Sequence, residues 1–309
     1  MKIHNGYENL QLRKPVVTIG TFDGVHLGHR LVLEKLKERA AESGHESVVI
    51  TFYPHPRQVL AGSTIPIPLL TTPDEKAKLL EKFGIDHLVV INFDHEFSNK
   101  EACRFVEEVL VEKIGSSHLI VGFNHRFGKK GEGDFITVRE CAEKLNLTVE
   151  MIDPLISGGH IVSSSGIRDA LSGGQTSLAN DMLGYHYSIE GEVVEGKKLG
   201  RKLGFPTANI KPLNPGKLIP GDGVYAVEVL IGNEKYKGVM SIGYNPTIEN
   251  DKAERTIEVN IFDFYREVYG SAVTVIFRHR LRDEMKFDNL ETLADQIALD
   301  KKRAIDLLG

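Results

Sequence analysis

Cysteine is close to absent from this chain, with two in 309 residues. Cys103 and Cys141 stand about forty residues apart, each on a helical pattern and without the paired spacing of a metal-ligand set. That argues against a disulfide scaffold or a zinc site, and the reading is two separate, buried, free thiols. A basic surplus is also missing. With 38 Lys and Arg against 43 Asp and Glu, the net charge of −5 lacks the electrostatic footprint of a nucleic-acid binder. No apolar run approaches the roughly 18 residues of a membrane span, and the opening MKIHNGYENL has no signal-peptide core. The expectation is a cytoplasmic protein with no membrane partner. Low-complexity tracts and internal repeats are lacking too, and 309 residues suffice for two domains, each with its own core.

What the chain has is residues 16–30, VVTIGTFDGVHLGHR, around which the first half is organised. Val16–Ile19 is an apolar, largely β-branched run that reads as a buried strand; Gly20 ends it and residues 21–25 form a turn. His26 and His29 then flank Gly28 at the mouth of an apolar-periodic helix over 31–41. Two imidazoles where a strand hands over to a helix N-terminus occupy the usual anion position of an open α/β sheet. The glycine would let a phosphate chain approach the backbone. Glycines at 20, 24 and 28 do not form a dinucleotide GxGxxG loop. The His-x-Gly-His arrangement instead resembles the nucleotidylyltransferase superfamily, in which both histidines donate to a triphosphate under attack at its α-phosphorus. The chemistry stands on its own: charge shifts onto the leaving pyrophosphate, and fixed donors that hold it more tightly in the transition state lower the barrier.

The first half alternates strands and helices. Strands are expected over Ser47–Tyr53, 87–93, 118–121 and 147–152. Thr72-Pro73-Asp74-Glu75 reads as a capping box opening a helix over 75–83, Ser98–Glu101 as a second one before a helix over 102–113, and residues 138–145 as a further helix. Five strands separated by helices predict a parallel, doubly wound sheet. Near 183–184 the rhythm changes to short alternating segments punctuated by Gly, Pro and Asn. Strands are expected over 187–194, Gly223–Ile231, 234–242, 256–264 and 272–277, with a tight turn at Gly232-Asn233. A closing amphipathic helix over Leu290–Leu308, opened by Asp288-x-x-Glu291, completes an antiparallel barrel-like domain. The boundary falls between 1–184 and 185–309.

Several shorter motifs accompany these elements. Phe52-Tyr53-Pro54-His55-Pro56 leaves the second strand stiffened by two prolines, as a ligand-facing loop or equally an ordinary strand exit. Residues 122–134, GFNHRFGKKGEGD, follow the fourth strand and read as a basic loop closing on phosphates or as a solvated charge run. Ser163-Ser164-Ser165-Gly166-Ile167-Arg168 puts hydroxyls and free N–H groups at the start of a helix over 167–171, with Arg168 one turn in, an anion site. Residues 191–198, GEVVEGKK, match a Walker A loop until Lys198 replaces the Ser or Thr that would hold Mg²⁺; the segment is strand-like, and the P-loop reading is rejected. Residues 200–209, GRKLGFPTAN, offer a glycine-punctuated basic loop, then Thr207 and Asn209 alternating onto one face, a hydroxyl and an amide oxygen suited to Mg²⁺ bridging ATP phosphates. Glu258 lies in the alternating strand TIEVNI; a lone strand carboxylate usually faces solvent, but phosphorylating an alcohol requires a proton acceptor.

GTFDGVHLGHR, TFYPHP, VGFNHRFGKKGEGD and SSSGIR, in that order, resemble the first module of the prokaryotic bifunctional riboflavin kinase/FMN adenylyltransferase family, the FAD synthetases. GRKLGFPTAN, GDGVYAV, SIGYNPT, TIEVNIFDF and RDEMKFDNLETLADQI resemble its kinase module. Ser165 stands where the family usually has threonine; Asn124 and His125 replace an acidic and an aromatic residue. The resemblance implies ATP-dependent phosphorylation of riboflavin to FMN, then adenylylation of FMN to FAD, with Mg²⁺ and small-molecule substrates. It implies catalytic roles for Glu258, His26, His29 and Arg168. ATP and phosphate contacts are implied for Gly20, Phe22, Asp23, Gly28, Asn124, Ser164, Ser165, Gly200, Arg201, Gly204 and Pro206. Flavin contacts fall to Phe52, Pro54, His55, Pro56, Arg282 and Glu284, and metal contacts to Thr207 and Asn209. Monomer or homo-oligomer is left open. The competing readings are an enzyme with one live module, a non-catalytic flavin-binding regulator, and a pantetheine or glycerol-phosphate nucleotidylyltransferase, which leaves the second half unexplained.

Overall fold

The structure is a computed structural model that describes residues 1–60, 67–196, 200, 204–244 and 255–309. It divides into two compact units, Met1–Ser164 and Ser165–Gly309. Arg201, expected at phosphate, and residues 197–198 of the Walker-like run lie outside the described residues.

The first unit is a six-stranded parallel sheet in the order β1-β4-β3-β2-β5-β6, formed by β1 (Lys2–Asn5), β2 (Val16–Ile19), β3 (Ser47–Tyr53), β4 (His87–Asn92), β5 (His118–Gly122) and β6 (Thr148–Ile152). Period-two alternation explains its two covered faces. Val17, Ile19, Val48, Ile50, Val89, Leu119 and Val121 enter one core with Phe105, Val109 and Leu110. Val16, Val49, Leu88 and Ile120 enter the other with Leu33, Leu36 and Leu80. The chain winds from β2 through β3 to β4, then returns to lay β5 on the other side of β2. The carboxyl ends of β2 and β5 thus flank the topological switch point, where such sheets bind ligands.

The helices of this unit are α1 (Leu27–Ser43), α2 (Pro56–Leu60), α3 (Pro73–Lys82), α4 (His95–Ser98), α5 (Ala102–Arg104) and α6 (Phe135–Glu143). Thr72 caps α3 as expected, in a complete capping box with Glu75. Four expectations are corrected. Ser98 ends α4 rather than opening the next helix; Glu101 precedes α5 without a side-chain cap, and the chain continues as a π-helix over Phe105–Lys113. The sheet gains β1, a short, mostly exposed edge strand whose backbone pairs with β4. A small hairpin follows β6, of β7 (Ile156–Ser157) and β8 (His160–Ile161). The cysteines are neither buried nor separate: Cys103 is exposed, Cys141 half-buried, and they are joined as a disulfide with Cα atoms 5.5 Å apart.

Helix α7 (Ser164–Ser172) carries the chain into the second unit, and α8 (Thr176–Leu183) follows. The barrel is closed and antiparallel, in the order β10-β13-β12-β11-β14-β9, from β9 (Ser188–Val194), β10 (Ala208–Pro212), β11 (Gly223–Ile231), β12 (Glu234–Tyr244), β13 (Arg255–Ile261) and β14 (Ala272–Arg282). Closure removes the unpaired edges of an open sheet. Strand β10 was not foreseen as a strand. Helix α9 (Leu290–Leu308) has the expected bounds, but Asn289, not Asp288, caps it, accepting from the Thr292 N–H. Ala304 and Leu308 pack on Val224, Ala226 and Leu281.

Candidate active sites

The loop between β2 and α1 is held in an unfavourable backbone shape. Phe22 and Val25 have φ of 47° and 37° and Gly24 has 85°, the left-handed region that a β-branched residue rarely adopts. The surroundings fix it there. Both Asp23 carboxylate oxygens accept backbone N–H bonds, from Leu70 (3.1 Å) and Thr71 (2.9 Å), and the Thr71 hydroxyl accepts from the Gly24 N–H (3.0 Å). From the other side the Ser164 hydroxyl donates to the Asp23 carbonyl at 2.8 Å. Asp23 is therefore a buried anchor, and Phe22 is buried with its ring 4.9 Å from that of His29.

His26 is the N-cap of α1, and its Nδ1 accepts the His29 N–H at 3.2 Å. That bond requires Nδ1 to be unprotonated, so in the neutral ring the proton sits on Nε2. The two imidazoles stack at 3.6 Å and 14°. Gly28 is what allows this, since a Cβ there would lie 3.2 Å from the His26 ring. Burial, then the neighbouring His26 and Lys76, hold the His29 imidazole well below its usual range, so it is neutral at pH 7.

Past β5, the loop folds back on itself through His125 N–H to Gly122 O (3.0 Å) and a Phe127–Gly133 bridge. Asn124 is exposed, whereas His125 Nε2 is enclosed with no hydrogen-bond partner among the described residues. Burial lowers the His125 imidazole to about 4. His29 and His125 share one sign. Their folded values lie below the unfolded 6.5, so the unfolded chain takes up protons the folded chain refuses. The stability they contribute is complete above about 6.5 and is lost as pH falls, for His125 towards about 4. Thermal melts across that window should show a falling midpoint, and His125→Phe should flatten the fall.

At the end of β3 the alternation sends Phe52 into the core against Phe93 and Phe97, while Tyr53 faces outward. Tyr53, Tyr7 and Phe97, with Lys100 and Arg104, line a cavity of about 820 Å³. The Tyr53–Pro54 bond is cis, and His55 Nδ1 accepts the Arg57 N–H (3.2 Å) at the start of α2, whose first residue is Pro56. Ser165 and Arg168 lie on α7, exposed and half-buried respectively, with Arg168 one turn beyond Ser164.

In the second unit, Thr207 immediately precedes β10, and Asn209 lies directly opposite Glu258 on β13. Residues in register share a face, and the Thr207 hydroxyl donates to Glu258 Oε2 at 3.0 Å. Hydroxyl, amide and carboxylate oxygens thus converge on one face, and all three residues are half-buried. Asn260, two residues beyond Glu258, donates to the Pro206 carbonyl at 2.7 Å and fixes the approach to β10; sequence reading passed over it, because its role appears only in the strand pairing. The Gly200 carbonyl accepts the Phe205 N–H (2.9 Å), closing the loop that contains Gly204, itself at φ 83°. The donor set is hard and oxygen-only, which fits Mg²⁺. Among the described residues no three His, Cys, Asp or Glu gather as a metal cage.

Arg282 is committed elsewhere. Its guanidinium grips the buried Asp300 of α9 through Nε (3.0 Å) and Nη2 (2.8 Å), and Nη1 donates to the Asp283 carbonyl. It ties β14 to α9. Asp300→Ala should destabilise this unit by about 3–5 kcal/mol, since it strands a largely buried guanidinium, and urea unfolding measures it. Glu284 is packed where Gly243 leaves no Cβ, and burial, then Asp222, raises its carboxyl above the usual range.

Two family models match the chain: FAD synthetase over residues 8–166 and riboflavin kinase over residues 183–308. A Bacillus subtilis bifunctional riboflavin kinase/FMN adenylyltransferase is 40% identical over 294 residues, covering 94% of this chain and 92% of its own. The Escherichia coli K12 protein of the same description is 36% identical, covering 100% and 98%. A crystal structure of a macrolide-efflux protein from Streptococcus pneumoniae is similar over 97% of each chain, with 30% identity and a TM-score of 0.87. No helix among the described residues is long and apolar enough to cross a membrane.

Proposed function

The chain belongs to the bifunctional riboflavin kinase/FMN adenylyltransferase family, and from that membership we propose how its residues divide two reactions between them. The enzyme phosphorylates riboflavin to FMN with ATP, then adenylylates FMN with a second ATP to give FAD and pyrophosphate. Residues 1–184 carry the second reaction and residues 185–309 the first, in the cytoplasm.

In the kinase module Glu258 takes the proton of the riboflavin 5′-hydroxyl as that oxygen attacks the γ-phosphorus and ADP departs. The Thr207 hydroxyl occupies Oε2, which leaves Oε1 for the substrate. Mg²⁺, when bound, neutralises charge on the phosphates. Thr207 and Asn209 would hold it, beside the glycine-punctuated loop of Gly200 and Gly204. In the adenylyltransferase module an FMN phosphate oxygen attacks the α-phosphorus and the bond to pyrophosphate breaks. That nucleophile is already anionic, so no base is needed; donors and cations are. His26 through Nε2–H and His29 supply donors over a helix N-terminus that favours anions, Ser164 holds the turn through the Asp23 carbonyl, and the cation is assigned to Arg168 on the sequence motif of the family alone.

The observation that carries the reading is that each unit holds its own, chemically unlike site, a stacked histidine pair at one sheet's switch point and a carboxylate beside a hydroxyl on a barrel strand. Incubation with riboflavin, ATP and Mg²⁺, resolved chromatographically over time, tests it. FMN should rise first and FAD follow. FMN without FAD, even when FMN is supplied, would remove the first module's role.

A further inference from the structure

Lys76, on α3, reads in sequence as an ordinary helical lysine after a capping box. The structure puts its ammonium under the histidine loop. Nζ donates to the Thr21 carbonyl at 2.6 Å and to the Thr51 hydroxyl at 3.2 Å, and Thr51 itself donates to the Thr21 carbonyl at 3.1 Å. Thr21 begins the strained turn, one residue before Phe22. Both acceptors are neutral oxygens, and among the described residues Lys76 makes no ion pair. Desolvating a cation without a counter-charge is costly. Asp23, whose charge reaches Lys76 from the loop after β2, has both oxygens committed to the 70–71 backbone. On the α1 side the ammonium reaches His29 and helps keep that ring neutral. A costly positive charge, only partly offset by Asp23 and in contact with no carboxylate among the described residues, makes sense beside a phosphate-type loop when an anion completes it.

We propose that Lys76 is a positioning residue for adenylyl transfer: it pins the Thr21 carbonyl, and with it the turn that carries His26 and His29, and it sets a fixed positive charge behind the histidine pair, where the charge of the departing pyrophosphate develops. The inference rests on the assignment of that pair to adenylyl transfer. Burial lowers the Lys76 ammonium to about 8, Asp23 opposing the shift, so the charge is present at pH 7 and is lost in mild alkali.

The test uses the full-length enzyme with FMN and ATP–Mg²⁺, comparing wild type, Lys76→Met and Lys76→Arg, with riboflavin phosphorylation on the same preparations as the internal control. Lys76→Met should lower kcat for FAD formation by about ten- to a hundredfold, with phosphorylation within about twofold of wild type. The wild-type profile of kcat/KM for ATP should fall above about pH 8. That limb should be absent from the residual activity of Lys76→Met and displaced upward in Lys76→Arg, whose guanidinium does not titrate there. Undiminished kcat in Lys76→Met, or an alkaline limb that survives in it, overturns the proposal; a packing role alone would leave the limb in place. His29→Ala run alongside separates the two readings, because full FAD formation in that variant removes the site assignment itself, whatever Lys76 does.

Discussion

Replacing His29 with alanine is expected to lower FAD formation from FMN by at least about a hundredfold, while riboflavin phosphorylation continues at the wild-type rate. The substitution is unusually clean. The bond that fixes the His26 tautomer comes from the backbone N–H of residue 29, which alanine keeps. What leaves is the ring, stacked 3.6 Å from His26 and braced by Phe22. Its Nδ1 is enclosed without a partner among the described residues, so removing the ring sacrifices no side-chain hydrogen bond of the folded state. The loss therefore appears in turnover more than in stability. Because burial keeps the ring neutral, its contribution is one directed N–H rather than a net charge, and the charges come from elsewhere. Chromatographic assay of both products decides: persistent FAD formation would detach the pair from the α-phosphate, and loss of FMN as well would end the two-site division.

Much of this arrangement is visible in the linear chain because the physics is local. A β-branched run, a glycine stop, a turn and a helix start are all written within residues 16–30. The Thr72 capping box and the bounds of α9 are equally local. Thr207 and Asn209 are legible as one face by alternation, but Glu258, about fifty residues on, joins them only through the β10–β13 register, which no local pattern encodes. The same limit hides the pairing of Cys103 with Cys141 and the grip of Asp300 on Arg282. Strand β1 escapes notice because Lys2–Asn5 is short and polar at a sheet edge, where backbone pairing rather than burial defines it. Lys76 escapes for a related reason: lysine on a helix is normally solvated, and only the fold shows the ammonium turned inward.

Glu258→Gln should reduce riboflavin phosphorylation by about 10²–10⁴-fold and leave FMN adenylylation intact. Glutamine keeps the volume and, through its amide oxygen, an acceptor for the Thr207 hydroxyl now held at 3.0 Å, so β10 and β13 remain tied at the site. The amide cannot take a proton at neutral pH. Loss of the base therefore falls on kcat, with KM for riboflavin and ATP little changed, since groups other than this oxygen hold both substrates. A structural role for the carboxylate would instead raise KM or lower the melting temperature, and Thr207→Val, which removes the hydroxyl while sparing the carboxylate, would then reproduce the defect. If Glu258 is the base, Thr207→Val should act chiefly through the Mg²⁺ dependence of the rate, which a titration of the metal at fixed ATP reads directly. Full kinase activity in Glu258→Gln would refute the base assignment and move the search for a proton acceptor to the other polar residues of the barrel, beginning with Ser241 on β12, the register partner of Glu258.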